Sequence, residues 1–152
     1  MRFINLVFSM ILALVLTGCS NKDKGGGCTS IAEDDATMQN YISANAITAT
    51  KHASGMYYQI IEPGSGATPT INSTVKAKYT GKLTNNTTFD GGEASFPLGG
   101  VIEGWQIGIP LIRQGGKIKL IIPPYLAYGC NDYRSIPGNS VLVFDVELLE
   151  VQ

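Results

Sequence analysis

Leu142-Val143-Phe144-Asp145-Val146-Glu147-Leu148-Leu149 decides the fold, because Leu142, Phe144, Val146 and Leu148 recur at period two while Asp145 and Glu147 take the opposite side. That is the pattern of a half-buried strand. Val75, Ala77 and Tyr79 alternate in the same way with Lys76 and Lys78, and Ile118, Leu120 and Ile122 with Lys117 and Lys119 until Pro123-Pro124 stops the run. Met56 to Ile61 is a further strand-like run, closed by Glu62-Pro63-Gly64-Ser65-Gly66. Many strands with short turns and one or two brief helices predict the α+β class, an antiparallel curved β-sheet or half-barrel wrapped around a short α-helix.

Two segments carry helical signals of different quality. Ser30-Ile31-Ala32-Glu33 has the form of a capping box, and Met38, Tyr41, Ile42 and Ala46 follow at helical spacing. They predict a short N-terminal helix over 31–46 that packs against the domain edge. Glu103 to Arg113 reads as a loop on propensity alone, since Gly104, Gly108 and Pro110 all disfavour helix.

At 152 residues the chain fits one globular domain with short extensions. Its formal net charge is −1 and its Lys and Arg are scattered, which removes the electrostatic basis for binding nucleic acid. At the N-terminus, Arg2 supplies a positive start and Leu6 to Leu16 an apolar run, so residues 1–18 read as a secretory signal. The run is shorter than the ~20 residues a spanning helix needs. Its end, Leu16-Thr17-Gly18-Cys19, resembles a bacterial lipobox, which implies lipidation of Cys19 as the mature N-terminus. Residues 19–29, with Gly25-Gly26-Gly27, read as a flexible tether. Ser20 after the lipid cysteine is compatible with an outer-membrane destination in the bacterial envelope.

With Cys19 assigned to lipid, Cys28 and Cys130 remain as an even pair in an oxidising compartment. A bridge between them and two independent thiols both fit the sequence. The single histidine, His52, sits in a polar Thr-Lys-His-Ala-Ser stretch and reads as a solvated surface residue. There is no His-Glu-x-x-His, no paired metal-ligand cysteines and no triad, so hydrolysis and metal catalysis lose support and neither metal nor cofactor is expected.

Tyr79-Thr80-Gly81, Phe89-Asp90, Val101-Ile102-Glu103-Gly104-Trp105, Ala127-Tyr128-Gly129 and the 142–149 strand follow one another in an order and spacing that resemble the FKBP-type peptidyl-prolyl cis-trans isomerases. The resemblance spans residues 54–152, and residues 30–53 form the N-terminal helix and linker before it. It implies a short central helix with Trp105 near its start, lying across the concave sheet face. It also implies catalytic roles for Tyr79, Phe89, Asp90, Trp105 and Tyr128. Trp105 would be the floor under a proline ring, and Tyr79, Phe89, Phe96 and Phe144 the walls. Val101 and Ile102 would line the rim, Ile102 offering its N-H to a carbonyl, while Tyr128 donates to the substrate carbonyl and Ile136 closes the far side.

The implied activity is rotation of X-Pro bonds in exported proteins, by a monomer whose partners are proline-containing polypeptides and, through its lipid, the membrane. The chain departs from the family pattern in short connections from Asp90 to Phe96 and from Leu98-Gly99 to Val101. It departs again in the Cys130 to Ser135 loop. The rival readings are a proline-peptide binding module or chaperone with little turnover, and a structural envelope lipoprotein that reuses the fold.

Overall fold

The computed structural model describes residues 27–152. The signal reading of 1–18, Cys19 and the start of the tether therefore lie outside the described residues. Helix α1 (Ile31–Ala44) is followed by strands β1 (Thr50–Lys51), β2 (Tyr57–Glu62), β3 (Thr74–Leu83) and β4 (Thr88–Pro97), then helix α2 (Glu103–Gly108), β5 (Lys117–Ile122) and β6 (Leu142–Val151). The six strands form one sheet in the order β1-β2-β5-β6-β3-β4, antiparallel throughout. The sheet is curved and open, and it begins with β1, ahead of residue 54.

The register explains how alternation becomes a core. Leu120 pairs with Phe144 and Phe144 with Gly81, while Ile118 pairs with Val146 and Val146 with Tyr79. These rows share one face, and together with Val75, Ala77, Leu142 and Leu148 they bury the concave side against Trp105, Ile109 and Ile112. The alternate positions carry the Lys76–Glu93, Lys117–Glu62 and Lys119–Asp145 ion pairs on the outer face. Such exposed pairs are worth only ~0 to 1 kcal/mol each, so apolar burial holds the sheet in register.

The N-terminal helix forms as its capping box predicts: the Ser30 N-H donates to Glu33 Oε2 at 2.8 Å, and the Glu33 N-H donates to Ser30 Oγ at 3.3 Å. It ends two residues earlier than expected, and it packs on the outer face of the sheet rather than on its edge. Met38 and Tyr41 meet Tyr57, Ile121, Val141 and Val143 there. Tyr57 pairs with Ile121 and Ile121 with Val143, so an apolar row crosses β2, β5 and β6 at outward positions. Ile121 and Val143 are the residues that break the simple alternation of their strands, and this seat is the reason.

Cys28 and Cys130 form a disulfide across 102 residues of sequence, with Cα atoms 4.7 Å apart. Asn139 adds to the tie, donating from Nδ2 to the Gly27 carbonyl and accepting the Thr29 N-H, each at 3.0 Å. His52 is half-buried rather than fully solvated: its Nδ1 lies 2.9 Å from Ser54 Oγ and accepts the Ser54 N-H at 3.1 Å.

The central helix is where propensity misleads. Gly104 and Gly108, four residues apart and therefore on one helical face, are both buried against β5. A Cβ at Gly104 would stand 2.5 Å from Ile122 Cγ2, and one at Gly108 the same distance from Leu120 Cδ2. The glycines cost roughly 1 kcal/mol each in helix propensity, yet they let the backbone of α2 lie directly on the sheet. Overpacking at either position would cost ~1 to 3 kcal/mol.

Candidate functional site

The cleft is built from the floor upward. Trp105, in the first turn of α2, is 4% exposed and makes T-shaped contacts with three rings. Tyr79 lies 5.3 Å away at 89°, Phe144 5.5 Å at 84° and Phe96 5.6 Å at 78° between ring centroids and planes. Phe89 extends the wall, 5.6 Å from Phe144 at 88°. Edge-to-face pairs each add ~0.5 to 1.5 kcal/mol beyond their buried area, so these rings hold one another in place. Above them opens a cleft of about 280 Å³ lined by Tyr79, Phe89, Asp90, Phe96, Gly100, Val101, Ile102, Trp105, Tyr128, Tyr133 and Phe144.

Local backbone features put these side chains there. Gly81 pairs with Asp90 and Lys82 with Thr88, so Phe89 is the extra residue of a β-bulge. A bulge re-aims its residue, and both Phe89 and its neighbour Asp90 line the cleft as a result. Gly81 is glycine by necessity, since a Cβ there would lie 2.7 Å from Phe89 Cζ and 2.8 Å from Phe144 Cε1. At the rim, Gln106 Nε2 donates to the Val101 carbonyl at 2.7 Å and fixes the turn into α2. The Ile102 N-H, at the N-cap of α2, finds no acceptor among the described residues and is available to a ligand carbonyl. Trp105 Nε1 is likewise buried without an acceptor among the described residues.

Asp90 is oriented on both oxygens: Tyr79 donates its hydroxyl to Oδ2 at 3.0 Å, and the Gly91 N-H donates to Oδ1 at 2.8 Å. Burial, then the hydrogen bond to Asp90 and the charge of that carboxylate, push the Tyr79 hydroxyl up to about 12. Tyr79 therefore stays a neutral donor. Burial, together with Tyr133 and the Asp90 charge, also raises the Tyr128 hydroxyl, while Arg134 works in the opposite direction. Tyr128 is 36% exposed and lines the cleft.

Nine of the ten residues assigned to the site from sequence converge on this cleft. Ile136 is the exception: it is buried in the core at 6% exposure and exchanges backbone hydrogen bonds of 2.9 Å with Tyr133. Ile136 packs in the same core cluster as Trp105 and Phe144, while Tyr133, on the exposed arm of that bridge, lines the cleft. The sequence signal for Tyr133 was an aromatic in an otherwise polar loop, close behind Tyr128-Gly129. A second groove, on the outer face across β3, β6 and β5, is lined mainly by Lys78, Lys117, Asp145 and Glu147 and shares only Tyr79 with the cleft.

A family model described as FKBP-type peptidyl-prolyl cis-trans isomerase matches residues 66–149, and the chain belongs to that family. It is 43% identical over 129 residues to FKBP-type peptidyl-prolyl cis-trans isomerase FkpA of Aeromonas hydrophila, covering 79% of this chain and 47% of that one. The chain thus spans about half the length of that curated relative. The crystal structure of FkpA from Escherichia coli superimposes with a TM-score of 0.72 at 42% identity, over 80% of this chain and 61% of that one. A peptidyl-prolyl cis-trans isomerase from Pseudomonas syringae gives 0.69 at 26% identity, over 83% of this chain and 98% of that one.

The burial of Tyr79 and its bond to Asp90 have a consequence for stability. Tyrosine in the unfolded chain ionises at about 10 and Tyr79 in the fold at about 12, so the folded state keeps a proton that the unfolded state releases in between. The contribution is complete below about pH 10 and is lost as pH rises toward about 12. Denaturant unfolding measured across that range should show wild type losing stability faster than Tyr79→Phe. Parallel curves would contradict the raised Tyr79 hydroxyl.

Proposed function

We propose that this protein accelerates cis-trans rotation about X-Pro peptide bonds in exported proteins of the bacterial envelope. The observation that carries the reading is the Trp105-floored aromatic cleft with oriented Asp90 and the Tyr128 hydroxyl at its mouth. Rotation makes and breaks no covalent bond: its barrier of ~18 to 20 kcal/mol is the amide resonance lost on twisting C-N. A dry apolar wall disfavours the charge-separated form that keeps the amide planar. A few donors then bind the rotated carbonyl better than the planar one, and only that difference accelerates the step. The proline ring rests on Trp105 between Tyr79, Phe96 and Phe144. Tyr128 and the Ile102 N-H are the donors, and Asp90 is the polar group nearest the twisting amide. No cofactor enters this chemistry.

Uncatalysed rotation takes ~10 to 100 s, long enough to limit the folding of an exported chain. The lipobox-like Leu16-Thr17-Gly18-Cys19 supports a lipid on Cys19 after removal of 1–18, with residues 19–29 as the tether, 30–53 as helix and linker, and 54–152 as the isomerase domain. The protein would act as a monomer on the envelope membrane, in the outer membrane if Ser20 directs sorting. Among the described residues no helix is long and apolar enough to cross a membrane. Mass spectrometry of the protein from cells should find diacylglycerol on an N-terminal Cys19, and an unmodified mature N-terminus would contradict the anchor.

The activity is tested by the cis-to-trans rate of short X-Pro peptides. The purified protein should exceed the buffer rate, and Asp90→Ala, Phe89→Ala and Tyr128→Phe should each lower kcat/KM by about tenfold or more, a loss of ~1.4 kcal/mol of transition-state binding. A wild-type protein no faster than buffer would sink the enzyme reading, and proline peptides bound without turnover would leave a binding module.

A further inference from the structure

Tyr128 and Tyr133 stand at the cleft mouth as a stacked pair, ring centroids 4.3 Å apart and planes within 6°. They are five residues apart in an irregular loop, and they remain 36% and 42% exposed. The loop that presents them is fixed from several directions. Tyr133 and Ile136 exchange two backbone hydrogen bonds of 2.9 Å, and Asp132 Oδ1 accepts the Gly138 N-H at 2.8 Å. Gly138 packs so tightly that a Cβ would stand 2.1 Å from the Cys130 carbonyl oxygen. From the other side of the chain, the Cys28–Cys130 disulfide and the two Asn139 hydrogen bonds clamp the loop to residues 27–29. An exposed aromatic pair on so constrained a loop is a preorganised contact surface, since it loses little rotamer freedom when covered.

We propose that Tyr133 is a specificity-determining residue, which with Tyr128 forms a flat aromatic platform for the side chain of the residue preceding proline and favours an aromatic one. This rests on the isomerase reading given above. With the carbonyl of that residue held at the Tyr128 hydroxyl, its Cα is one bond from the carbonyl carbon, and its side chain falls beside the two rings. The charges at the mouth balance. Arg134 has its guanidinium carbon 5.4 Å from the Tyr133 centroid, and Asp90 and Arg134 act on Tyr128 with opposite sign. A charged side chain there is attracted by one of the two and repelled by the other with little net gain, whereas an aromatic one adds stacking area on the two rings.

The test compares Phe-Pro, Ala-Pro, Glu-Pro and Lys-Pro peptides on the purified wild-type protein, Tyr133→Ala and Tyr133→Phe, reading both kcat/KM and equilibrium binding. Wild type should prefer Phe-Pro over the other three. Tyr133→Ala should lower the Phe-Pro to Ala-Pro ratio about fivefold, mainly through KM, and Tyr133→Phe should retain it. A ratio unchanged in Tyr133→Ala, or a wild type without the Phe-Pro preference, would overturn the assignment. Should wild type bind without turnover, the binding ratios decide Tyr133 by the same criteria, and only the enzyme reading falls. Wild type that neither binds nor turns over any of the peptides would overturn both.

Discussion

The edge-to-face packing of three aromatic rings with the Trp105 indole is the constraint around which the concave side is organised. Each partner comes from a different element: Tyr79 from β3, Phe96 from β4 and Phe144 from β6. Burying an aromatic of this size contributes ~4 to 6 kcal/mol at ~25 cal/mol per Å². The cluster therefore does two jobs at once. It pins α2 to the sheet, and it leaves an apolar hollow whose shape is fixed before any ligand arrives. Among the described residues the buried Trp105 Nε1 has no acceptor, so the indole is held by its ring contacts.

The same cluster dictates where side chains must be absent. Gly104 and Gly108 let α2 approach Ile122 and Leu120 closely enough to present Trp105, and Gly81 clears the space that Phe89 and Phe144 fill. The Phe89 bulge delivers a wall ring and the Asp90 carboxylate from consecutive positions. Asp90 is in turn held by a tyrosine that also belongs to the aromatic cluster, so the polar and apolar halves of the site are joined through Tyr79.

The sheet was legible in the sequence because period-two alternation in 75–79, 118–122 and 142–148 is imposed by the pleat itself. The capping box marked the start of α1 for the equally local reason that its two hydrogen bonds join residues three apart. Its seat was not legible, since Ile121 and Val143 declare an outer apolar face only once the register sets them beside Tyr57. Helix α2 defeats propensity because its glycines answer to Ile122 and Leu120, which are distant in sequence. Resemblance to a family, rather than composition, identified the cleft residues. On the far side, the Tyr133-Ile136 bridge leaves Ile136 buried in the core cluster with Trp105 and Phe144 and Tyr133 exposed. That bridge belongs to a loop tied to the N-terminal arm across 102 residues of sequence, a constraint no local pattern carries.

The central claim is that a proline ring sits on Trp105, and the chain has a single tryptophan with which to ask. Intrinsic fluorescence titrated with a short X-Pro peptide should change saturably as the proline ring seats against the indole and alters its surroundings. The same peptide with alanine in place of proline should produce little change. No response to the proline peptide, or an equal response to both, would contradict the account.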